Sequence, residues 1–432
     1  MNTQAQLLAR AMQMLEATQW QSREEIAALQ HRKLAVLARH CQTHSAQFRA
    51  RLQTAGLNAA DLASPAEFAK LPLLSRRELQ SATDLFCVHI PQAHLPTYDT
   101  TTSGSTGEPV RIRRTAYSHL DWLATTMREH LWHAHDFLAP FCAIRANIPK
   151  RTRTENWGAP AALLRATGPA LGLPITTDIA TQAALVRAFK PGTLLIYPSN
   201  LDALAQHCSA NGIRFEHLTK ILTIGETLAP HVRNSAEAAF GAEISDVYSS
   251  QEAGNIALQC PQSGLYHVMA ENLIVEIVDV NGISAAEGET GRVVVTDLNN
   301  FATPLIRYDI GDYAQAGPTC PCGRGLPTLK RILGRERNLI RMPDGSRHWP
   351  LVGFHKFRKI APIVQYQMIQ QDREHVELRL VVERPLTVQE ESNLTAHVQT
   401  SLGHPFALSF SYFDGKIPAG ANGKFEEFVC RV

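Results

Sequence analysis

From about residue 80 to about residue 245, short apolar runs alternate along the chain with stretches that have helical spacing. The apolar runs have the length of buried strands, and the stretches between them repeat their apolar residues every three or four positions. The strands predicted in this way are 143–148, 194–197 and Lys220–Ile224, and the helices are 181–189 and 200–208. Such alternation is typical of an α/β layered sheet, in which ligands bind at the carboxyl ends of strands.

The chain before this region, from about residue 5 to about residue 57, is rich in Ala, Leu, Gln and Arg. Leu8, Met12 and Leu15 recur with helical spacing, which predicts packing helices. Another helix is predicted to begin after Ser75, because Glu78 three residues later completes a capping box.

Beyond about residue 265 the pattern changes to strands separated by turns. The runs at Leu273–Val278 and 292–296, with a turn at 280–282, predict a β-rich subregion. From Gly334 onward a strand pattern is followed by a capping box at Thr387 and Glu390 and a striped helix. The predicted fold class is therefore α/β, with a large N-terminal layered α/β domain at 1–333 that contains the β-rich subregion, and a small α+β C-terminal domain at 334–432.

Composition narrows the classes of function. The 432 residues carry 42 basic and 40 acidic side chains, a formal charge of +2, so nothing marks a nucleic-acid partner or a membrane partner. No run of 18 apolar residues occurs, and residues 1–20 have the pattern of an amphipathic helix, which predicts a cytoplasmic protein. Eight cysteines are too dilute for a disulfide scaffold, and only Cys260, Cys320 and Cys322 have spacings that suggest a site.

A run of hydroxyls and glycines at 100–109 is too polar for a core strand and too rich in glycine for a helix. Its small residues allow backbone N–H groups to approach a polyphosphate, and Val110 and Ile112 predict a strand leading away. It is not a Walker loop, because no Gly-Lys-Ser/Thr follows the glycines. Taken alone, the run is equally well explained as a solvated loop. The residues assigned to phosphate binding are Ser103, Gly104, Ser105, Thr106 and Gly107.

Four further polar segments follow in order, at 246–252, 304–312, 334–338 and 422–425. Each alone is explained by a turn or by solvated charge. Together with the glycine-rich run they form an ordered set: Tyr-x-Ser-x-Glu at 248–252, Arg-Tyr-Asp-Ile-Gly-Asp at 307–312, Gly-Arg at 334–335 and a terminal Gly-Lys.

With these motifs the sequence resembles the adenylate-forming superfamily of acyl-CoA ligases, and within it the phenylacetate-CoA ligase-like branch. The resemblance runs from about Leu71 to the C-terminus. It implies a ligase that joins a carboxylic acid to ATP, releases pyrophosphate, and passes the acyl group to a thiol, usually that of coenzyme A. ATP, Mg²⁺ and coenzyme A are the implied cofactors and small-molecule partners.

The resemblance also implies roles for individual residues. Tyr248 is the ring expected to stack on adenine, Glu252 is the catalytic carboxylate expected to hold Mg²⁺, and Asp312 is the expected acceptor of the ribose diol. The other residues expected to contact ATP are Gly225, Glu226, Thr227, Asp246, Ser249, Ser250 and Arg335.

Lys424 is expected to stabilise the charge that builds between the α-phosphate and the attacking carboxylate. In the family, the C-terminal domain rotates between the half-reactions, so the domain at 334–432 is expected to be mobile. Two positions depart from the pattern: Val110 stands where many members carry Lys, and the hinge falls at Arg337 or Asn338.

Cys260, His267, Cys320 and Cys322 together offer three thiols and an imidazole, which can close a tetrahedral zinc shell. Some members of the branch carry such a site in similar positions, which implies a structural zinc. The alternative is a turn with reduced thiols. For Arg307 and Asp309, an internal ion pair and a contact with ligand remain open alternatives.

The branch favours an aryl or arylalkanoic acid. A first alternative is an adenylating enzyme that passes the acyl group to an amine, a hydroxyl or a carrier-protein thiol. A second is a non-catalytic nucleotide-binding partner, suggested by Val110 and by the altered hinge. The sequence leaves open the acid, the acceptor and whether the chain forms a homodimer.

Overall fold

The computed structural model describes residues 3–81, 85–102, 110–279, 281–335, 339–348, 356–418 and 425–432. These residues form two compact units, a larger one that ends at Leu333 and a smaller one that begins at Gly334.

The described residues of the larger unit contain ten α-helices. They are α1 (Thr3–Thr18), α2 (Arg23–His44), α3 (Ala46–Thr54), α4 (Pro65–Lys70), α5 (Arg76–Ser81), α6 (Ala116–Trp132), α7 (Ala161–Leu164), α8 (Ile179–Phe189), α9 (Pro198–Ala210) and α10 (Pro230–Phe240), with 3-10 turns at Asp61–Ala63 and Gln92–His94. The predicted packing helices are confirmed, and the predicted start of α5 is too: Ser75 Oγ accepts from Glu78 N at 3.2 Å, and Ser75 N donates to Glu78 Oε2 at 2.8 Å.

Strands of the same unit fall into a hairpin and a twelve-stranded sheet. They are β1 (Thr97–Thr102), β2 (Val110–Thr115), β3 (Phe141–Arg145), β4 (Thr152–Thr154), β5 (Ala170–Pro174), β6 (Thr193–Ile196), β7 (Lys220–Ile224), β8 (Glu243–Ser250), β9 (Gly254–Gln259), β10 (Tyr266–Val268), β11 (Leu273–Val278), β12 (Thr290–Asp297), β13 (Tyr308–Ala316) and β14 (Thr328–Arg335). The order in the sheet is β11-β12-β13-β14-β10-β9-β8-β7-β6-β3-β5-β4, and β1 and β2 pair separately.

This sheet has two halves of different character. The strands β5, β3, β6, β7 and β8 are parallel neighbours, and helices α8, α9 and α10 cover them with apolar residues such as Val186, Leu204 and Ala236. From β8 toward β11 the pairings β8–β9, β9–β10, β10–β14, β13–β12 and β12–β11 are antiparallel. The predicted α/β class and its β-rich subregion are thus confirmed, and β7 and β11 match their predicted bounds to the residue.

The smaller unit is α+β. Its elements are β15 (Ile340–Arg341), β16 (Arg347–His348), α11 (Phe357–Ile360), β17 (Ile363–Gln370), β18 (His375–Val382), α12 (Val388–Leu402), β19 (Ala407–Tyr412) and β20 (Phe428–Cys430). The four longest strands form a sheet in the order β19-β18-β17-β20, and α12 packs Leu394 and Val398 into its core. The predicted capping box at the start of α12 is present between Thr387 and Glu390.

Candidate functional site

Three groups of predicted residues lie outside the described part of the chain. These are the phosphate-binding run 103–107, the hinge at Arg337 or Asn338, and Lys424, and their roles stay predictions. The strand predicted from Val110 and Ile112 is confirmed as β2, and both side chains are fully buried. Because β1 ends at Thr102 and β2 begins at Val110, the glycine-rich run connects two antiparallel strands.

Strand β8 brings several predicted residues to one place at its carboxyl end. Tyr248 is buried, and its hydroxyl donates a 2.8 Å hydrogen bond to Asp312 Oδ2. Ser249 and Ser250 end the strand, and Ser250 Oγ accepts a 2.9 Å hydrogen bond from Ala253 N. The ring expected to stack on adenine and the carboxylate expected to bind ribose are therefore direct neighbours.

Curvature of the sheet makes this contact. Three strands, β9, β10 and β14, separate β8 from β13 in the sheet order, yet Tyr248 on β8 reaches Asp312 on β13. A flat sheet would hold these strands roughly 19 Å apart, since neighbouring strands are spaced by about 4.8 Å. The antiparallel half therefore curls until its inner face closes on the end of β8.

Glu252, two residues beyond the end of β8, is held by two arginines. Its carboxylate is buried and Oε1 accepts a 3.0 Å contact from Arg76 Nη1, while its backbone carbonyl accepts from Arg114 Nη2 at 3.0 Å. One carboxylate combined with substrate phosphates is an ordinary environment for Mg²⁺, so the residues present fit the implied ion.

The end of β7 lies beside the end of β8, because the two strands are parallel neighbours. There Gly225 adopts φ of +75°, a conformation that favours glycine, and turns the chain toward Glu226 and Thr227. Glu226 Oε2 accepts a 2.9 Å hydrogen bond from Ser199 N in the first turn of α9. A carboxylate at that end of a helix is electrostatically favoured.

Asp246, which the sequence assigns to ATP binding, makes contacts inside the protein. It is 4% exposed, and its carboxylate accepts from Tyr266 Oη at 2.8 Å and from Thr223 Oγ1 at 2.6 Å. Burial raises the pKa of Asp246 to about 6, although both hydrogen bonds oppose the shift. Its contact with ATP stays a prediction.

Arg335 ends β14 and belongs to the smaller unit, so its ATP contact stays a prediction as well. For Arg307 and Asp309 the structure favours the ion-pair alternative. Arg307 binds Glu276 through two hydrogen bonds of 2.9 and 3.1 Å, and Asp309 pairs with Arg292 at 3.0 Å.

The four residues predicted to bind zinc converge, although they come from three separate parts of the chain. Cys320 Sγ lies 3.7 Å from Cys260 Sγ, and Cys322 Sγ lies 3.3 Å from His267 Nε2. Two thiolates that each lie about 2.3 Å from a tetrahedral zinc are about 3.8 Å apart, so the spacing fits the ion.

The other ring nitrogen of His267 is placed as in known zinc sites. Nδ1 faces the carbonyl oxygen of Leu326 at 3.4 Å, an arrangement that orients Nε2 toward the thiols. Burial lowers the pKa of His267 to about 4, so the ring is neutral at pH 7 and can offer a lone pair.

Sequence reasoning missed Arg76 and Arg114. Arg76 is the first residue of α5, where the helix dipole disfavours a cation. This unfavourable position was the signal in the sequence that Arg76 has an acidic partner elsewhere. Arg114 on β2 is recognisable only from the fold, because its partner lies 138 residues away.

Comparison with known proteins supplies three kinds of match. The family model described as the CapK C-terminal domain matches residues 352–431. Phenylacetate-coenzyme A ligase of Aromatoleum evansii is 24% identical over 341 residues, which cover 76% of this chain and 74% of that protein. This chain resembles the phenylacetate-CoA ligase-like branch of the adenylate-forming enzymes.

Solved structures agree with that resemblance. A 2-hydroxyisobutyryl-CoA ligase in complex with 2-HIB-AMP is 20% identical, with a TM-score of 0.74 over 93% of this chain and 88% of that one. The amide bond synthetase McbA from Marinactinospora thermotolerans is 16% identical, with a TM-score of 0.54 over 76% of this chain and 67% of that one. At these identities the structures show the fold alone, and it is the phenylacetate-coenzyme A ligase relatives that support an AMP-forming acid-thiol ligase.

Within the described residues, every helix is too short or too polar to cross a bilayer.

Proposed function

We propose that this chain activates a carboxylic acid with ATP and transfers the acyl group to the thiol of coenzyme A. In the first half-reaction a carboxylate oxygen of the acid attacks the α-phosphorus of ATP, and pyrophosphate leaves. In the second, the thiolate sulfur attacks the acyl carbon and AMP leaves, with the thiol proton released to solvent. No general base is needed in the first step, because the acid is ionised at neutral pH.

The observation that carries the proposal is the hydrogen bond between Tyr248 and Asp312 at the carboxyl end of β8. It joins an aromatic face and a carboxylate at the kind of strand end where α/β sheets bind ligands. In the proposed complex the Tyr248 ring stacks on adenine and Asp312 accepts from the ribose hydroxyls.

Glu252 supplies negative charge on the phosphate side of the same strand end. Mg²⁺ bound there would neutralise the phosphates and assist departure of pyrophosphate. Arg76 holds Oε1 at 3.0 Å and fixes the carboxylate in one orientation. The run 103–107 would supply further donors to the phosphates, and Gly225, Glu226 and Thr227 would line the adenine side.

Lys424 is proposed to act on the first half-reaction alone. A cation that contacts both the α-phosphate and the attacking carboxylate stabilises the charge of the transition state more than that of bound ATP. Rotation of the domain that carries it would then admit the thiol for the second half-reaction.

A zinc ion bound by Cys260, His267, Cys320 and Cys322 is proposed to have a structural role. Four protein ligands leave no open coordination position, so the ion would not take part in the reaction. It would join the loop after β9 and strand β10 to the segment between β13 and β14.

An aryl or arylalkanoic acid is the proposed substrate class, in keeping with the phenylacetate ligase relative. Other acceptors stay open as alternatives, since an amide bond synthetase shares the fold. A carrier-protein partner, a homodimer and a cytoplasmic location stay predictions.

The test is pyrophosphate release from ATP across a panel of aryl, arylalkanoic and aliphatic acids, with and without coenzyme A. We expect one acid class to stimulate release and coenzyme A to accelerate it further. Release that depends on acid but ignores coenzyme A would favour the alternative acceptors. A flat response to every acid would favour the non-catalytic nucleotide-binding alternative.

A further inference from the structure

A second cluster of ligand-type side chains lies in the larger unit, apart from the cysteines. Glu129 and His130 occupy the last turn of α6, and His135 lies three residues after that helix ends. All three are more than nine-tenths buried, with exposures of 2%, 6% and 4%. One ligand atom from each lies within 4.8 Å of the others.

The polar atoms of this cluster lie within ion-pair distance of one another. His130 Nδ1 lies 2.8 Å from Glu129 Oε2, and His135 Nε2 lies 3.5 Å from Glu129 Oε1. Yet Glu129 Oε2, His130 Nδ1 and His135 Nε2 have no aligned hydrogen-bond partner among the described residues. Buried polar atoms normally have well-aligned hydrogen bonds, so three that converge on one point without them suit a shared ligand.

The surroundings orient these atoms toward one another. Ser245 Oγ on β8 donates to Glu129 Oε1 at 2.9 Å, and Thr193 Oγ1 at the start of β6 lies 3.3 Å from His135 Nδ1. When Nδ1–H donates to that hydroxyl, Nε2 carries the lone pair that a metal requires. Outer hydrogen bonds of this kind are what metal-binding histidines normally have.

Electrostatics favours a cation at the same point. The carboxyl end of α6 carries partial negative charge, and Glu129 adds a full one. Around them the site is apolar: the His130 ring packs edge-on against Phe137, Phe141 and Trp157 at centroid distances of 6.2, 6.4 and 5.8 Å. A dry shell strengthens the attraction between a carboxylate and a cation.

We propose that Glu129, His130 and His135 bind a zinc ion. Two imidazoles and one carboxylate suit zinc among the common divalent ions, and a water molecule is its ordinary fourth ligand. Since β6 and β8 contribute Thr193 and Ser245, the ion would pin the end of α6 and the turn after it to the amino ends of two parallel strands.

The first measurement uses the unaltered full-length chain. After removal of bound metal with a chelator, Co²⁺ is titrated as a spectroscopic substitute for zinc. Cobalt bound by the cysteines gives sulfur-to-metal charge-transfer absorption, whereas cobalt bound by Glu129, His130 and His135 gives ligand-field bands alone. We expect about one equivalent that adds ligand-field absorption without adding charge transfer.

Variants then identify the residues that bind this equivalent of metal. Glu129→Gln and His135→Gln should each lower zinc, measured by elemental analysis, by about one equivalent relative to the unaltered chain. His133→Gln is the matched control: this histidine lies in the same turn and is buried, but its Nε2 contacts Gln259 O at 2.8 Å outside the cluster. It should retain the full zinc content.

Three outcomes would overturn the proposal. In the first, all bound cobalt shows charge transfer, a result that does not depend on whether any variant folds. In the second, Glu129→Gln and His135→Gln keep their full zinc. In the third, His133→Gln loses as much zinc as they do, which would mean that disturbing this turn, and not removing a ligand, releases the metal.

Discussion

One strand, β8, contributes to two very different polar sites. Near its amino end Ser245 donates to Glu129, whose neighbours are two buried imidazoles. At its carboxyl end Tyr248 donates to Asp312, and just beyond the strand Arg76 pairs with Glu252. At the carboxyl end the protein supplies partners for its carboxylates, whereas at the amino end three polar atoms converge without aligned partners.

This difference follows from what covers each end of the strand. The turn after α6 and the rings of Phe137, Phe141 and Trp157 pack around the amino end, so the space there suits only a small ion. Loops follow the carboxyl ends of β7 and β8, and loops of this kind form substrate sites in α/β sheets. Variants at the carboxyl end should therefore alter catalysis, and those at the amino end should alter metal content.

The largest effect is expected from Lys424→Ala. It should lower adenylation about 10²- to 10³-fold, the scale of one preorganised electrostatic contact, because the α-phosphate loses its cation. Transfer from a preformed acyl-adenylate to coenzyme A should be retained. Both half-reactions are measured separately, and an equal loss in both would contradict the division of labour.

Glu252→Gln should lower acid-dependent pyrophosphate release about 10²-fold. The amide keeps the shape of the side chain but removes the charge that would hold Mg²⁺ and that pairs with Arg76. Glu287→Gln, at an exposed position, is the control and should behave like the unaltered chain. Comparable rates for the two variants would remove Glu252 from the mechanism.

Tyr248→Ala should raise the KM for ATP about 5- to 150-fold with little change in kcat. Loss of aromatic stacking on a base costs about 1–3 kcal/mol, and stacking is felt equally in the ground state and the transition state. Tyr248→Phe keeps the ring and loses the hydrogen bond to Asp312, so its KM should stay close to that of the unaltered chain. A defect confined to kcat in Tyr248→Ala would count against stacking.

Cys322→Ala should lower the zinc content by about one equivalent and lower the melting temperature, because a ligand of the proposed structural ion is lost. Cys430→Ala is a matched control, since Cys430 is also half-buried but lies outside the cluster. Elemental analysis and thermal unfolding measure both effects. Unchanged zinc in Cys322→Ala would support the alternative of reduced thiols in a turn.

Asp246 gives the smallest effect, a dependence of stability on pH. Because burial raises its folded pKa from 3.8 to about 6, the folded chain favours the protonated carboxyl. Its contribution to the free energy of unfolding is fully present below pH of about 4 and is lost as the pH rises through about 6, on the order of 3 kcal/mol. Asp246→Asn should lack this loss in urea unfolding, whereas exposed Asp414→Asn should keep it. An unchanged pH profile in Asp246→Asn would assign the dependence to other groups.

Features that depend on neighbours in sequence were predictable. The capping boxes at Ser75 and Thr387 each need only a residue three positions away, and the apolar runs of β7 and β11 give their own bounds. The pairs Tyr248–Asp312 and Arg76–Glu252 join residues 64 and 176 positions apart, so they depend on how the sheet curls. Motif resemblance predicted Asp312 and Glu252, whereas the only local signal for the partner Arg76 was its unfavourable position as the first residue of α5.

The cluster at Glu129, His130 and His135 was not predictable from the sequence either, but for a different reason. Its members are close together in the sequence, yet histidines are common there and sequence alone did not distinguish His135 from other histidines. Only burial and the loss of hydrogen-bond partners make the group unusual. In this case the packing around the three residues, and not their spacing in the sequence, identifies them as a candidate site.

The most direct test of adenylate-forming chemistry is mass spectrometry of the products formed from ATP, Mg²⁺ and a responding acid in the absence of coenzyme A. The account predicts an acyl-adenylate and pyrophosphate in equal amounts, and conversion of that adenylate to an acyl-CoA and AMP when coenzyme A is added. Formation of ADP with phosphate or an acyl phosphate would contradict it.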